Sequence, residues 1–204
     1  YSFRLGNRLL GNPETAAGLE ITLKGPVLTF NRATQIALTG APLDATVNDE
    51  PVAFWQVIDV PAGATLKLGA TTGHGARAYV LFRGGLDCPQ YLTSRSTFTL
   101  GQFGGHCGRA LRAGDVLALA SAKAVAATHL PNALKPSIGN SWKLHVTYGP
   151  HGAPDYFTGQ DIDTFFASEW EIHYNSSRTG VRLIGPKPEW ARSDGGEAGM
   201  HPSN

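Results

Sequence analysis

The chain has 204 residues, with 17 Lys and Arg against 16 Asp and Glu, so its formal net charge at pH 7 is +1. This balance argues against a nucleic-acid-binding protein, which carries a basic patch or stripe. Hydrophobic residues make up 42% of the chain, and 25 glycines and 13 prolines accompany them, which excludes a globally disordered chain and a coiled coil.

The two cysteines, Cys88 and Cys107, are too few for a disulfide scaffold and form no CxxC motif. No run approaches the roughly 18 apolar residues of a membrane-spanning helix, and the first residues lack the apolar core of a signal peptide. We therefore expect a cytoplasmic protein with neither membrane nor nucleic acid as partner. The chain does not begin with methionine, which suggests a piece of a longer protein whose preceding part is unknown.

Apolar residues at helical spacing over residues 1–11, followed by Gly11-Asn12-Pro13, predict an amphipathic helix. From Leu19 the period changes to two, which predicts a half-buried strand ending at Gly25-Pro26. Turn signals are expected at 47–50, and 91–109 is expected to be a loop. Further short strands are predicted at 27–30, 35–38, 64–69, 76–82 and 111–119, and the turn at 47–50 leads into the segment 52–58. Short strands separated by Gly and Pro are typical of an antiparallel barrel or sandwich.

Residues 121–141 are rich in Ala, Pro, Asn and Ser, and we interpret them as a linker. The predicted division is then a first β subdomain over 1–120 and the start of a second, truncated β subdomain over 142–204. In the second part, a short helix is predicted over 159–166, with Thr158 as its cap, and strands are predicted over 142–148, 170–174 and 181–186. The echo of Leu-x-Gly-Pro at 23–26 and 183–186 indicates either coincidence or two related subdomains.

The segment richest in chemistry is 93–109, which combines hydroxyls, two arginines, a histidine and four glycines. Glycines allow backbone N–H groups to approach a ligand and form an anion-binding concavity, and arginine recognises carboxylates. The alternative is an ordered loop at a barrel rim, with Arg95 tied to backbone carbonyls. No Gly-Lys-Ser/Thr follows the glycines, so this is not a nucleotide-binding P-loop.

Two further polar segments are weaker candidates. Residues 174–182 follow a predicted strand, where polar groups often reach a cleft, but a solvated hairpin fits equally well. Residues 193–204 offer Asp, Glu, His, Ser and Asn for a small polar substrate, or form a disordered tail. The seven histidines form neither HExxH nor a paired cluster, so no metal site is expected, and the lack of Gly-x-Ser-x-Gly weakens a serine hydrolase interpretation.

These segments resemble the carboxyltransferase domain of urea carboxylase, within the broader family called allophanate hydrolase subunit 2, which includes the C subunit of 5-oxoprolinase. The resemblance covers nearly the whole chain. The segment Asn-Ser-Ser-Arg-Thr-Gly followed by Gly-Gly-Glu-Ala-Gly-Met-His-Pro-Ser-Asn is similar to urea carboxylase in particular. The matching segments are 3–12, 37–42, 83–86, 94–98, 101–106 with 108–109, 112–115, 148–155, 175–186 and 195–204.

The family's glycine-rich segment before the first helix and the large portion after His-Pro-Ser-Asn are missing here. The resemblance therefore implies an internal piece of the domain, and whether it is active in isolation stays open. It also implies a mostly β fold, with cyclophilin-like antiparallel β-barrel subdomains and few short helices. Of the division proposed above, 1–120 would be the first barrel subdomain of the carboxyltransferase domain.

The implied reaction moves a carboxyl group from carboxybiotin to urea to form allophanate. Biotin would arrive on a carrier domain and ATP would be used on a biotin carboxylase domain, both in the same polypeptide or complex. The implied catalytic residues are Arg95, Arg109 and Asp194. Anion stabilisation would fall to the arginines and the loop amides, while carboxylate and amide groups would orient urea. The implied substrate-binding residues are Ser94, Ser96, Gly104, Gly105, His106, Asn175, Arg178, Glu197, His201 and Asn204.

Two other interpretations stay open at this point. One is a protein similar to the 5-oxoprolinase C subunit, acting on 5-oxoproline. The other is a β-barrel module that binds or regulates without catalysis, because a fold alone does not determine a function. The sequence also leaves open whether the substrate is urea or a guanidine-like amide.

Overall fold

The computed structural model describes residues 1–176 and 180–193. The chain divides into two compact units, 1–142 and 143–204. The first unit opens with helix α1 (Ser2–Leu9), as the helical spacing predicts. Its apolar side, which includes Leu5 and Leu9, is buried in a small core shared with Ala37 and Leu81.

Eight strands follow in the first unit and form two four-stranded sheets, ordered β1-β8-β3-β6 and β2-β7-β4-β5. All strand pairs are antiparallel. The mostly β, antiparallel fold predicted from the sequence is therefore confirmed. The strands are β1 (Leu19–Thr22), β2 (Val27–Thr29), β3 (Thr34–Gly40), β4 (Leu43–Val47), β5 (Glu50–Pro51), β6 (Ile58–Val60), β7 (Thr65–Thr71) and β8 (Arg77–Phe82).

The main core of the first unit takes side chains from both sheets. Ile36 and Leu38 of one sheet and Leu66 of the other are at most 1% exposed, and all three belong to one cluster. Alternation explains how each strand reaches this core, since successive side chains of a strand point to opposite faces. In β7, for example, Leu66 and Leu68 are buried while Lys67 between them is exposed.

Asn48 and Asp49 carry the turn between β4 and β5, both with positive φ, at 51° and 69°. Asn and Asp tolerate this left-handed conformation better than other residues with side chains. The Asn48 carboxamide oxygen also accepts a hydrogen bond from the Thr65 N–H at 2.9 Å. The turn predicted at 47–50 is confirmed, while β4 itself was not predicted.

The second unit contains helix α2 (Gly159–Ala167) and the short pair β9 (Glu171–Ile172) and β10 (Leu183–Ile184). The predicted helix and its Thr158 cap are confirmed. Thr158 Oγ1 accepts a hydrogen bond from the Asp161 N–H, and the Asp161 carboxylate accepts one from the Thr158 N–H. This reciprocal capping box satisfies two backbone donors at the start of the helix.

Two predicted strands, at 111–119 and 142–148, are wrong, and the segment 52–58 is irregular over most of its length. At 52–58, the main chain turns at Trp55, whose φ is +66°, and a strand begins only at Ile58. At 111–119, Asp115 donates its N–H to the Arg112 carbonyl at 3.1 Å and folds the segment into a turn. At 142–148, apolar and polar residues alternate as in a strand, but the segment pairs with no described strand.

No helix in the described part of the chain has the length and apolar character needed to cross a membrane.

Candidate anion-binding site

Residues 91–98 form an exposed segment that is held together by local hydrogen bonds. Tyr91 and Ser94 exchange backbone hydrogen bonds at 2.8 and 2.9 Å. The hydroxyls of Ser94 and Ser96 lie 2.8 Å apart, and Ser94 Oγ accepts the Ser96 N–H at 3.1 Å. Every residue of the segment is exposed, so the two serine hydroxyls predicted to bind substrate remain open to solvent.

A glycine turn at 101–108 packs directly on this segment. Phe98 and Phe103 exchange backbone hydrogen bonds at 2.9 and 3.3 Å. Gly104 and Gly105 have φ of 74° and 53°. A Cβ at Gly104 would collide with the Ser96 carbonyl, and one at Gly105 with the Thr97 hydroxyl. Glycine is therefore required at both positions by conformation and by the closeness of the neighbouring chain.

Arg109 and Asp115 form a bidentate ion pair beside the glycine turn. Nη1 and Nη2 of Arg109 donate to the two carboxylate oxygens of Asp115, each at 2.8 Å. The Arg112 N–H adds a third hydrogen bond to the same carboxylate at 2.7 Å. His106 Nε2 lies 3.7 Å from Asp115 Oδ1. Asp115 thus ties the end of the glycine turn to the segment that follows it.

These contacts set the ionisation of the pair. The hydrogen bonds from the Arg109 guanidinium, followed by the one from the Arg112 N–H, hold the pKa of Asp115 far below its usual range. The same hydrogen bonds between the two side chains raise the pKa of Arg109. Asp115 is consequently a carboxylate at every physiological pH, with its charge balanced by Arg109.

The guanidinium of Arg95 is hydrogen-bonded to the main chain through one of its nitrogens. Its Nη1 donates to the Cys88 carbonyl, while Cys88 Sγ lies 3.8 Å from the Arg95 carbonyl. This is the tethering to a backbone carbonyl that the sequence left open as an alternative for Arg95. The side chain is exposed all the same, so its remaining N–H groups are accessible to an anion.

A groove of about 750 Å³ lies in the first unit, between residues 26–32 on one side and 111–119 on the other. Its lining is mainly apolar and includes Phe30, Phe82 and Val116, with Arg112 and Asp115 as polar members. None of the sequence-predicted site residues lines it. The groove reaches the glycine turn through Asp115, which contacts both Arg109 and His106.

The chain is matched over residues 1–204 by the family model described as carboxyltransferase domain, subdomain A and B. It belongs to this family. The urea amidolyase of Saccharomyces cerevisiae is 49% identical to it over 211 residues, which cover 100% of this chain and 11% of that protein. The C subunit of the Escherichia coli 5-oxoprolinase is 32% identical over 188 residues, which cover 90% of this chain and 57% of that protein.

A solved structure gives the same family relationship. The crystal structure of the K. lactis urea amidolyase superimposes with a TM-score of 0.86 at 48% identity, covering 100% of this chain and 13% of that one. The chain therefore spans only about a tenth of the length of these two urea amidolyases.

Of the remaining predicted site residues, Asn175 belongs to the second unit. Its N–H donates to His173 Nδ1 at 3.1 Å, and its neighbour Ser176 donates its hydroxyl to the His173 carbonyl at 2.8 Å. Asn175 is exposed. Arg178, Asp194, Glu197, His201 and Asn204 lie outside the described residues.

Two of the segments that carry the family resemblance, 3–12 and 83–86, are joined by hydrogen bonds. Asn12 donates to the Phe82 carbonyl at 2.7 Å and to Asn7 Oδ1 at 3.0 Å, and it accepts the Gly84 N–H at 2.8 Å. Arg83 Nη1 donates to the carbonyls of Leu10 and Gly11 at 2.8 Å. Segments 3–12 and 83–86 thus fix α1 to the end of β8.

Sequence reasoning assigned no role to Asp115, whose carboxylate accepts three hydrogen bonds beside the glycine turn. It lies in the matched segment 112–115, and an acidic residue six positions after Arg109 is the only sequence signal for the pair. Among residues 1–176 and 180–193, no group of three or more His, Cys, Asp or Glu residues is arranged to hold a metal ion.

Proposed function

We propose that this chain contributes the carboxyltransferase step of a urea carboxylase. In that step the carboxyl carbon leaves a ring nitrogen of carboxybiotin and bonds to a urea nitrogen, giving allophanate. The proton displaced from urea returns to biotin, so that charge and atoms balance. Biotin supplies the transferable carboxyl group, and it would be presented by a carrier domain after an ATP-dependent carboxylation elsewhere.

The observation that carries this proposal is the difference in similarity to two kinds of relative. Two urea amidolyases are 49% and 47% identical over the whole chain, whereas two 5-oxoprolinase C subunits are 33% and 32% identical over 90% of it. This favours urea over 5-oxoproline as the substrate.

The loop at 94–108 supports the proposal through the donors that it offers. Positive φ at Gly104 and Gly105 and the exposure of Arg95 fit a site that stabilises negative charge developing on the biotin ureido oxygen. Fixed N–H donors are effective there because they need little reorganisation during the reaction. Since both terminal nitrogens of Arg109 are bound to Asp115, we assign Arg109 to holding the loop and Arg95 to the anion.

Orientation of urea is assigned to carboxylate and amide groups. Urea has four N–H donors and one acceptor oxygen, which complement Asp194 or Glu197 together with Asn175 or Asn204. We assign Arg178 and His201 to substrate binding on the same grounds of residue type. These assignments rest on the family resemblance of the two segments.

The proposal is tested in the intact polypeptide that contains this domain, by measuring carboxybiotin-dependent turnover stimulated by urea. We expect turnover with urea and none with 5-oxoproline. Turnover with 5-oxoproline alone would transfer the assignment to the other branch of the family. Loss of both, in a protein whose biotin is carboxylated normally, would favour a binding module.

The role of Arg95 is tested by Arg95→Ala, with Arg77→Ala as the matched control. Arg77 is also partly exposed and lies 3.2 Å from Glu20, away from the loop. We expect kcat for carboxyl transfer to fall about a hundredfold in Arg95→Ala, as for removal of one oxyanion donor, and to stay unchanged in Arg77→Ala. Unchanged transfer in Arg95→Ala would remove Arg95 from the mechanism.

A further inference from the structure

The N–H groups of Gly104 and Gly105 are the part of the glycine turn with the chemistry to bind an anion. Within residues 1–176 and 180–193, neither N–H donates a hydrogen bond to another group of the chain. Both glycines are half-buried. Backbone N–H groups of folded proteins are normally paired with protein or with water, so these two adjacent donors are available to an acceptor from outside the turn.

The direction of each donor is fixed by the carbonyl of its own peptide group. A trans peptide is planar, and its C=O and N–H point to opposite sides. The Phe103 carbonyl, which shares a peptide with the Gly104 N–H, accepts the Phe98 N–H at 2.9 Å. The Gly104 carbonyl, which shares a peptide with the Gly105 N–H, accepts the Gly108 N–H at 3.0 Å. The second donor therefore keeps its direction only while Gly108 stays in place.

An ion pair holds the chain directly after Gly108. Arg109 is the next residue, and its guanidinium donates two hydrogen bonds to Asp115. The Asp115 side chain is only 14% exposed, and its carboxylate is oriented in turn by the Arg112 N–H. A bidentate pair fixes the relative geometry of its two groups, and one shielded from solvent is less weakened by water than a surface pair.

We infer that Asp115 is a positioning residue for carboxyl transfer, which acts through Arg109 and Gly108 to aim the Gly105 N–H at the anion formed in the reaction. The inference rests on the proposed function for the reaction itself. Because an amide aimed at developing charge stabilises the transition state more than the bound substrate, loss of Asp115 should lower kcat and leave the KM for urea unchanged.

The first test uses Asp115→Asn in the intact polypeptide that contains this domain. The asparagine keeps the size of the side chain but turns an NH₂ group or a single oxygen toward the two donors of Arg109, which breaks the bidentate pair. With biotin carboxylated beforehand, a single turnover with urea is followed. We expect its rate constant to fall between about tenfold and a hundredfold at full amplitude, whereas partial unfolding would lower the amplitude and leave the rate constant unchanged.

Asp49→Asn is the matched control, because it makes the same substitution at an exposed ion pair with Lys67. It should transfer the carboxyl group at the wild-type rate. Arg109→Lys completes a double-mutant cycle, since lysine keeps the charge but cannot form the bidentate pair. If Asp115 acts through Arg109, the double variant should be no slower than the slower single variant. Rate losses that multiply in the double variant would overturn this route.

The outcomes separate the inference from the proposed function. A wild-type rate constant in Asp115→Asn, at full or reduced amplitude, would overturn the inference and leave the proposed function intact. A wild-type protein that carboxylates its biotin but transfers nothing to urea would overturn the proposed function. In that case hydrogen exchange over residues 104–108 decides the positioning role of Asp115: faster exchange in Asp115→Asn would support it, and unchanged exchange would overturn it.

Discussion

The two units of this chain use similar apolar sequence patterns with opposite results. In the first unit, alternating residues such as Ile36, Leu38 and Leu66 are almost completely buried. In the second, Leu144, Val146 and Tyr148 alternate in the same way but are 80, 60 and 71% exposed. Among the described residues of 143–204, no hydrophobic side chain is buried, and Asp161 is the only buried residue.

The comparison teaches that alternation predicts a strand only where a partner exists. The first unit supplies two sheets whose inner faces cover each other, so each strand gains both backbone partners and a core. In the second unit, β9 and β10 pair over two residues each. Its described part is organised instead by hydrogen bonds to polar groups, above all those that converge on Asp161.

The largest expected difference comes from removing one leucine in each unit. Leu66→Ala should lower the free energy of unfolding of the first unit by about 3 kcal/mol, since it deletes a completely buried side chain. Leu144→Ala should change stability by less than about 0.5 kcal/mol. Chemical denaturation, with hydrogen exchange assigned separately to residues 1–142 and 143–204, measures both. Equal effects would contradict the distinction between the units.

The predictions from sequence succeeded where a segment has a core and a strand partner, and they failed where it has neither. The strands β1 and β7 were predicted near their observed positions because their alternate residues face a complete core, and β3 and β8 because they are apolar and buried over most of their length. The segment 111–119 repeats the pattern of β7 but contains Asp115, whose hydrogen bonds with Arg109 and Arg112 outweigh strand pairing. A carboxylate with local donors competes with a sheet in a way that periodicity does not reveal.

The sequence predicted which segment holds the candidate site, but not which of its residues contact one another. The glycines of this segment predicted either an anion-binding concavity or an ordered loop, and the structure shows Gly104 packed on Ser96 and Gly105 on Thr97. The pairing of Arg109 with Asp115 required three-dimensional information, because either arginine of the loop was an equal candidate for an anion. The groove joins residues about 85 positions apart, a proximity that local patterns do not encode.

A buried polar contact in the first unit should give the next largest effect. Asn12→Ala removes two donated and two accepted hydrogen bonds, and it leaves the Gly84 N–H without this partner. We expect a loss of about 2 kcal/mol in the free energy of unfolding, since unsatisfied buried groups are costly. Asn31→Ala, at an exposed position, is the control, and a comparable loss there would argue against the role given to Asn12.

A smaller effect is expected from the helix cap in the second unit. Thr158→Ala removes the acceptor of the Asp161 N–H and should destabilise α2 by about 1 kcal/mol. Hydrogen exchange should accelerate over residues 159–167 and stay constant in the first unit. Thr158→Ser retains the hydroxyl and should restore slow exchange. If α2 is unaffected by Thr158→Ala, contacts other than the cap maintain this helix.

The smallest expected effects are losses of stability in acid, and each unit should show one that depends on its own aspartate. Hydrogen bonds lower the pKa of Asp115, chiefly from Arg109, and that of Asp161, chiefly from the Glu189 N–H. A lowered folded pKa stabilises the protein above the ordinary Asp pKa of 3.8, and this contribution is lost as the pH falls through that value toward the folded pKa.

Protection from hydrogen exchange in both units should therefore decrease as the pH is lowered below about 4. Asp115→Asn should reduce protection around the glycine turn at pH 6, and the difference from wild type should shrink in acid. Asp161→Asn should do the same around α2 only. Asp49→Asn, which removes an exposed partner of Lys67, should change little at any pH, because exposed ion pairs contribute little. If Asp115→Asn or Asp161→Asn alone changed the protection of both units, the units would be energetically coupled, and the contrast between them would hold for burial only.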